Sequence, residues 1–92
     1  MKLVIITTPD FFVVEHLIIN ALFDEGLDAL HLRKPGSSAV LFERLISLIN
    51  EEYRKRIVIH DHFHLKKKYG LGGIHLNSRN PQLPDNYHGN VT

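Results

Sequence analysis

Ninety-two residues, 43% of them hydrophobic and 23% charged, fit one small globular domain and leave no room for a second. With 11 Lys plus Arg against 10 Asp plus Glu, the formal charge of +1 is far from the concentrated basic field of a nucleic-acid or membrane-surface binder, and neither partner is expected. No cysteine is present, which excludes disulfides, thiolate metal sites and cysteine nucleophiles; the opening apolar run breaks at Pro9, too early for a signal peptide or a membrane span, so a cytoplasmic protein is expected.

Residues 2–7 form an apolar, β-branched run that reads as a buried strand ended by Thr8-Pro9-Asp10. Asp10 can cap a helix over 11–23, where polar His16, Asn20 and Asp24 recur every four positions and the rest is apolar nearly all round, which predicts a deeply buried helix capped by Gly26. Residues 28–33 give a second strand, closed by Lys34-Pro35-Gly36. Ser37 or Ser38 then caps a helix from about 39 towards 53, with Leu41, Phe42, Leu45, Ile46, Leu48 and Ile49 at core spacing. A third strand at 57–59, a short helix over 63–69 stopped by Gly70, and a fourth strand at 73–76 follow. Beyond the polar turn Asn77-Ser78-Arg79-Asn80-Pro81, only residues 90–92 suggest another strand.

Strands alternating with helices build parallel sheets through right-handed crossovers, so the fold class is α/β. Four such units in one partial domain, 1–92, fit either an open flavodoxin-like sheet or half of a (β/α)8 TIM barrel, since a whole barrel takes about 250 residues. The strand-like ending at 90–92 favours the half barrel. Its two open sheet edges offer a route to a homodimer.

Ligands of parallel α/β folds sit beyond the carboxyl ends of the strands, which here means Thr7 and Thr8, His31 to Lys34, His60 to His62, and Leu76 to Asn80. Arg33, followed by a glycine turn and two serines opening a helix, offers a guanidinium and backbone N–H groups to an anion such as phosphate; an ordinary turn, with Arg33 paired to a surface carboxylate, is the alternative. His60, His62 and His64 alternate, and two imidazoles at that spacing can hold a zinc ion. This resembles the His-x-His of amidohydrolase barrels, although there it ends the first strand. The alternative is that a helix starting near Phe63 destroys the alternation. Asp61 is a hard oxygen ligand of the kind Mg²⁺ takes, or else the cap of the third helix. His75 reads as a buried, hydrogen-bonded strand residue, and Lys66-Lys67-Lys68 as a solvated helix face.

Three segments in order, Ala29-Leu30-His31-Leu32-Arg33-Lys34, Ile57-Val58-Ile59-His60-Asp61-His62 and Gly70-Leu71-Gly72-Gly73-Ile74-His75-Leu76, resemble the first half of the thiamin phosphate synthases and their relatives the thiazole tautomerases, over about residues 3–80. The resemblance implies a barrel that joins a pyrimidine methyl pyrophosphate to thiazole phosphate with release of pyrophosphate and the help of Mg²⁺. Arg33 would match the pyrophosphate-binding arginine of the family's Gln-Leu-Arg-Glu-Lys motif, with Lys34 as a displaced second cation. Asp61 would match the first Mg²⁺ aspartate.

Departures follow the same alignment of motifs. His31 replaces a glutamine and His60 a pyrimidine-binding asparagine, which makes both candidates for the substrate pocket. Asn80 stands for the second Mg²⁺ aspartate beside Arg79, so the metal site has lost charge. These changes leave open a tautomerase-like protein that binds phosphorylated thiazole and moves protons with a histidine, a metal hydrolase using His60 and His62, and a non-catalytic fragment or binding module. The family's later catalytic residues would fall beyond Thr92, so this half by itself is expected to be inactive.

Overall fold

Five parallel strands lie side by side in the order in which the chain makes them: β1 (Val4–Ile6), β2 (Ala29–Leu32), β3 (Ile57–Ile59), β4 (Gly73–Ile74) and β5 (Asn90–Val91). The computed structural model describes residues 3–7, 10–11, 13–77 and 90–91. Between the strands run α1 (Glu15–Asp24), α2 (Ala39–Leu48), a 3-10 segment (Glu51–Arg56) and α3 (Leu65–Tyr69). A flavodoxin-like sheet reverses direction after its first crossover, giving the order 2-1-3-4-5. Here the winding never reverses, which is how a barrel wall grows, so the strand order selects the half barrel over the open doubly wound sheet. No helix among the described residues is long and apolar enough to cross a membrane.

The core sits between the sheet and its helices. Leu30 and Leu32 of β2, Ile57 and Ile59 of β3 and Ile74 of β4 are buried against Phe42, Leu45 and Ile46 of α2, Ile19 and Phe23 of α1, and Leu65 of α3. Each such side chain removed from water contributes roughly 1.5–3 kcal/mol before the entropy of ordering is counted.

Three sequence expectations shift. The first helix begins at Glu15 rather than at Phe11, its N-terminus has no side-chain cap, and the carbonyl of Asp10 instead accepts from Lys34 Nζ at 2.6 Å. That helix is also not buried all round: Leu17 is 57% and Ile18 47% exposed, because α1 packs on α2 along one flank. The second helix ends at Leu48, short of Tyr53. Asn20 of α1 ties off its end, donating through Nδ2 to Leu48 O and accepting from Asn50 N, and Ile49 turns extended. Ser38 caps α2 by accepting from Val40 N, and Gly70 ends α3 in the left-handed region at φ 66°, both where the sequence placed them.

Candidate active site

At the carboxyl ends of the strands the backbone ladder runs on past the last paired residues. Thr7 N donates to His31 O, His60 N to Leu32 O and His75 N to Ile59 O. Thr7 adds its side chain, whose Oγ1 accepts from Arg33 N at 3.0 Å and donates to Arg33 O at 3.3 Å, so the ends of β1 and β2 are locked together. Asn77 does the same for the next pair, donating through Nδ2 to His60 O at 2.8 Å and His75 O at 3.1 Å. A rim held this way fixes the side chains it carries.

Three imidazoles converge on this rim. His31 Nδ1 and His60 Nε2 share a hydrogen bond of 2.9 Å, and the His60 and His75 rings stack with centroids 4.3 Å apart. His31 meets His75 edge to face at 5.9 Å. His60 is only 5% exposed. Its pKa falls from the usual 6.5 to about 4, first because burial disfavours the imidazolium, then because His75, His31 and Arg33 add positive charge, against which Asp61 pulls the other way. His60 is therefore neutral at pH 7.

Arg33, half-buried, and Asp61, buried, each follow the carboxyl end of a strand, β2 and β3, and since these strands are parallel neighbours both residues stand at one rim of the sheet. Lys34 goes elsewhere. Its side chain is fully buried, with Nζ 2.5 Å from Glu15 Oε2 and 5.0 Å from the centroid of Phe11, so it ties the turn after β2 to α1. Of the two adjacent cations, Arg33 is the one at the rim.

The alternating histidines do not act together. His62 adopts the left-handed region at φ 52°, its Nε2 donates to Ser37 O at 3.0 Å, and its ring packs edge-on against Phe42. His64 is exposed, occupies the N-cap position of α3 and meets the His62 ring edge to face at 6.3 Å, while the histidines gathered with His60 are His31 and His75. Asp61 lies too far upstream to be that cap. Asn80 and Arg79 lie outside the described residues. His75, read from sequence as a structural strand residue, proves to be a member of the rim. The signal was present in its Gly-x-His setting at the end of β4, at the same level as His60 at the end of β3.

Mg²⁺ takes oxygen ligands, commonly one or two carboxylates completed by substrate phosphates and water. Asp61 fits one such position. The three imidazoles beside it are donors of another class. A cavity of about 540 Å³ also opens between α1 and α2, walled by Phe11, Glu15, His16, Leu41 and Arg44, but Arg33, His60 and Asp61 are not among its lining residues.

A singly wound parallel β/α sheet of this kind is half of a (β/α)8 barrel, and its strand ends carry a guanidinium, a carboxylate and imidazoles. Neither a family model nor a curated protein matches the chain. Among solved structures, it is similar to thiamine phosphate pyrophosphorylase from Bacteroides thetaiotaomicron, with 59% identity over 99% of this chain and a TM-score of 0.97. The chain belongs to the thiamin phosphate synthase family. It spans about half of that relative, covering 46% of its length.

Proposed function

We propose that this chain supplies the phosphate-handling half of a thiamin phosphate synthase-type site, which joins a pyrimidine methyl pyrophosphate to thiazole phosphate and releases pyrophosphate. The observation that supports it is the placement of Arg33 and Asp61 just past the carboxyl ends of the neighbouring strands β2 and β3, at the rim where ligands of such barrels bind. As the carbon–oxygen bond to pyrophosphate breaks, negative charge collects on the leaving oxygens, and Arg33 can receive it through two parallel N–H donors. Asp61 would hold Mg²⁺, the remaining positions being filled by substrate oxygens and water; when bound, the ion neutralises that same charge. With asparagine at position 80 in place of a second carboxylate, its affinity is expected to be low. His60 and His31, joined by their hydrogen bond, line the pocket as groups facing the pyrimidine. The whole reaction also needs the part of the barrel this chain does not span, and β1 and β5 are the edges where further strands, or a second copy, would pair.

The hydrogen-bonded His31–His60 pair favours one other reading, a tautomerase-like site that binds phosphorylated thiazole and relays a proton. Calorimetric titration separates the two. Pyrophosphate that binds only with Mg²⁺, and not to Arg33→Gln, supports the synthase; thiazole phosphate that binds while pyrophosphate does not supports the tautomerase. Binding of neither rules out both.

A further inference from the structure

We propose that His31, His60 and His75 form a three-imidazole site for a zinc-class divalent cation, with a fourth coordination position open towards the rim. Among the described residues these are the three side chains whose donor atoms converge, each offering one ring nitrogen and all lying within 4.8 Å of one another. Nitrogens bound to one tetrahedral zinc at 2.0–2.1 Å stand about 3.3 Å apart. The 2.9 Å separation of His31 Nδ1 and His60 Nε2 lies below that value and the outer limit of 4.8 Å above it, so the three nitrogens stand near the required spacing, and binding one ion requires the His60 and His75 rings, stacked at 24°, to turn about their χ angles until their lone pairs converge.

The ligands arrive from the ends of three neighbouring strands, β2, β3 and β4, which is a rigid scaffold and not a loop. Asn77 fixes the backbone at two of the three, and the main-chain ladder continues through His60 and His75. Three neutral nitrogen donors select a borderline metal over Mg²⁺, which prefers oxygen. They also come from one side, leaving a position for water or a substrate heteroatom, as catalytic zinc sites do. The site does not depend on the phosphate chemistry proposed above.

The test uses the chain stripped with a chelator and titrated, without any phosphate present, with Zn²⁺, with Co²⁺ and, for comparison, with Mg²⁺. One Zn²⁺ per chain is expected, with Co²⁺ giving the intense visible absorption of a low-coordinate site and Mg²⁺ no response. In imidazole nitrogen NMR spectra, Zn²⁺ should move the resonances of His31, His60 and His75 and leave those of His16, His62 and His64 in place. His75→Ala should weaken Zn²⁺ by more than the roughly 10–100-fold that loss of an outer hydrogen-bond partner costs, while His62→Ala should bind as the unaltered chain does. If His75→Ala fails to fold, the NMR spectra of the unaltered chain decide. Absence of stoichiometric Zn²⁺, shifts at His62 and His64 in place of the three, or full affinity in a folded His75→Ala variant would overturn the proposal. Loss of pyrophosphate binding, by contrast, bears only on the synthase reading.

Discussion

The Lys34–Glu15 pair and the His31–His60–His75 cluster are both polar assemblies withdrawn from water, and both use residues at or just past strand ends, yet they are built on opposite principles. In the first, opposite charges meet at 2.5 Å with both side chains nearly inaccessible, and the pair answers its own electrostatics. In the second, three chemically identical groups face one another, two of them joined by a hydrogen bond and two by ring stacking, with no opposite charges to bring them together. The first arrangement anchors α1 to the turn after β2; the second gathers the ends of β2, β3 and β4. The sharpest way to break the comparison is to remove one charge. Lys34→Met leaves Glu15 buried without its cation and should cost about 3–5 kcal/mol in urea denaturation. Pairing it with Glu15→Leu should restore most of that, because it removes both charges together. If Lys34→Met alone were neutral, the ion pair would have no structural weight.

Acid acts on the other assembly. With a chelator present, the folded pKa of His60 is about 4 against 6.5 when unfolded, through burial and the neighbouring charges of His75, His31 and Arg33, opposed by Asp61. Between those values the unfolded chain binds the extra proton, so stability is full above pH 6.5 and falls as pH drops towards 4, by up to roughly 3 kcal/mol. His60→Asn should flatten this slope. Urea midpoints measured across that range check the effect, and a slope that survives the substitution assigns it to other groups.

The sequence made the fold more legible than the site, and particular residues show why. Alternation of β-branched runs with capped helices is a local pattern, so β3 at Ile57–Ile59 and the caps at Ser38 and Gly70 could be read directly. The limits of α1 and α2 could not, since Asn20 terminates α2 across a separation of about thirty residues. The strand-end positions of Arg33 and Asp61 followed from the same alternation. The three-histidine cluster was not: the eye follows His60, His62 and His64 because they adjoin, whereas the sheet joins His31, His60 and His75 from three separate strands. Lys34 looked like a second phosphate cation because nothing in its own segment reveals Glu15, which lies in α1.

How closely β4 approaches β3 determines whether His75 reaches His60, and Gly72 sets that approach. A Cβ at this position would lie 2.2 Å from Lys55 O and 3.3 Å from Ile57 O, both backbone atoms that cannot swing aside. Gly72→Ala should therefore cost about 1–3 kcal/mol. Its diagnostic effect is local: the His60 and His75 imidazole resonances should move while those reporting on Lys34 and Glu15 stay put. Equal disturbance at both assemblies would mean that they are not independent.

The smallest effect is expected where the chemistry of the buried pair recurs in water. Lys68 Nζ donates to Glu43 Oε1, which also accepts from Tyr69 OH at 2.6 Å, on a half-exposed surface between α2 and α3. These bonds hold the Glu43 carboxyl below its usual 4.5 and the Lys68 ammonium above 10.5. The contribution of Glu43 is thus present above pH 4.5 and lost as pH falls through its lowered folded value. Solvent and salt screen the pair, and two long side chains lose freedom in forming it. Glu43→Gln should shift the melting temperature less than any change above, and the shift should vanish in 1 M salt, where the screening length is about 3 Å. The penalty of Lys34→Met should persist at that salt. If both losses responded to salt alike, burial would not be what separates these two lysine–glutamate contacts.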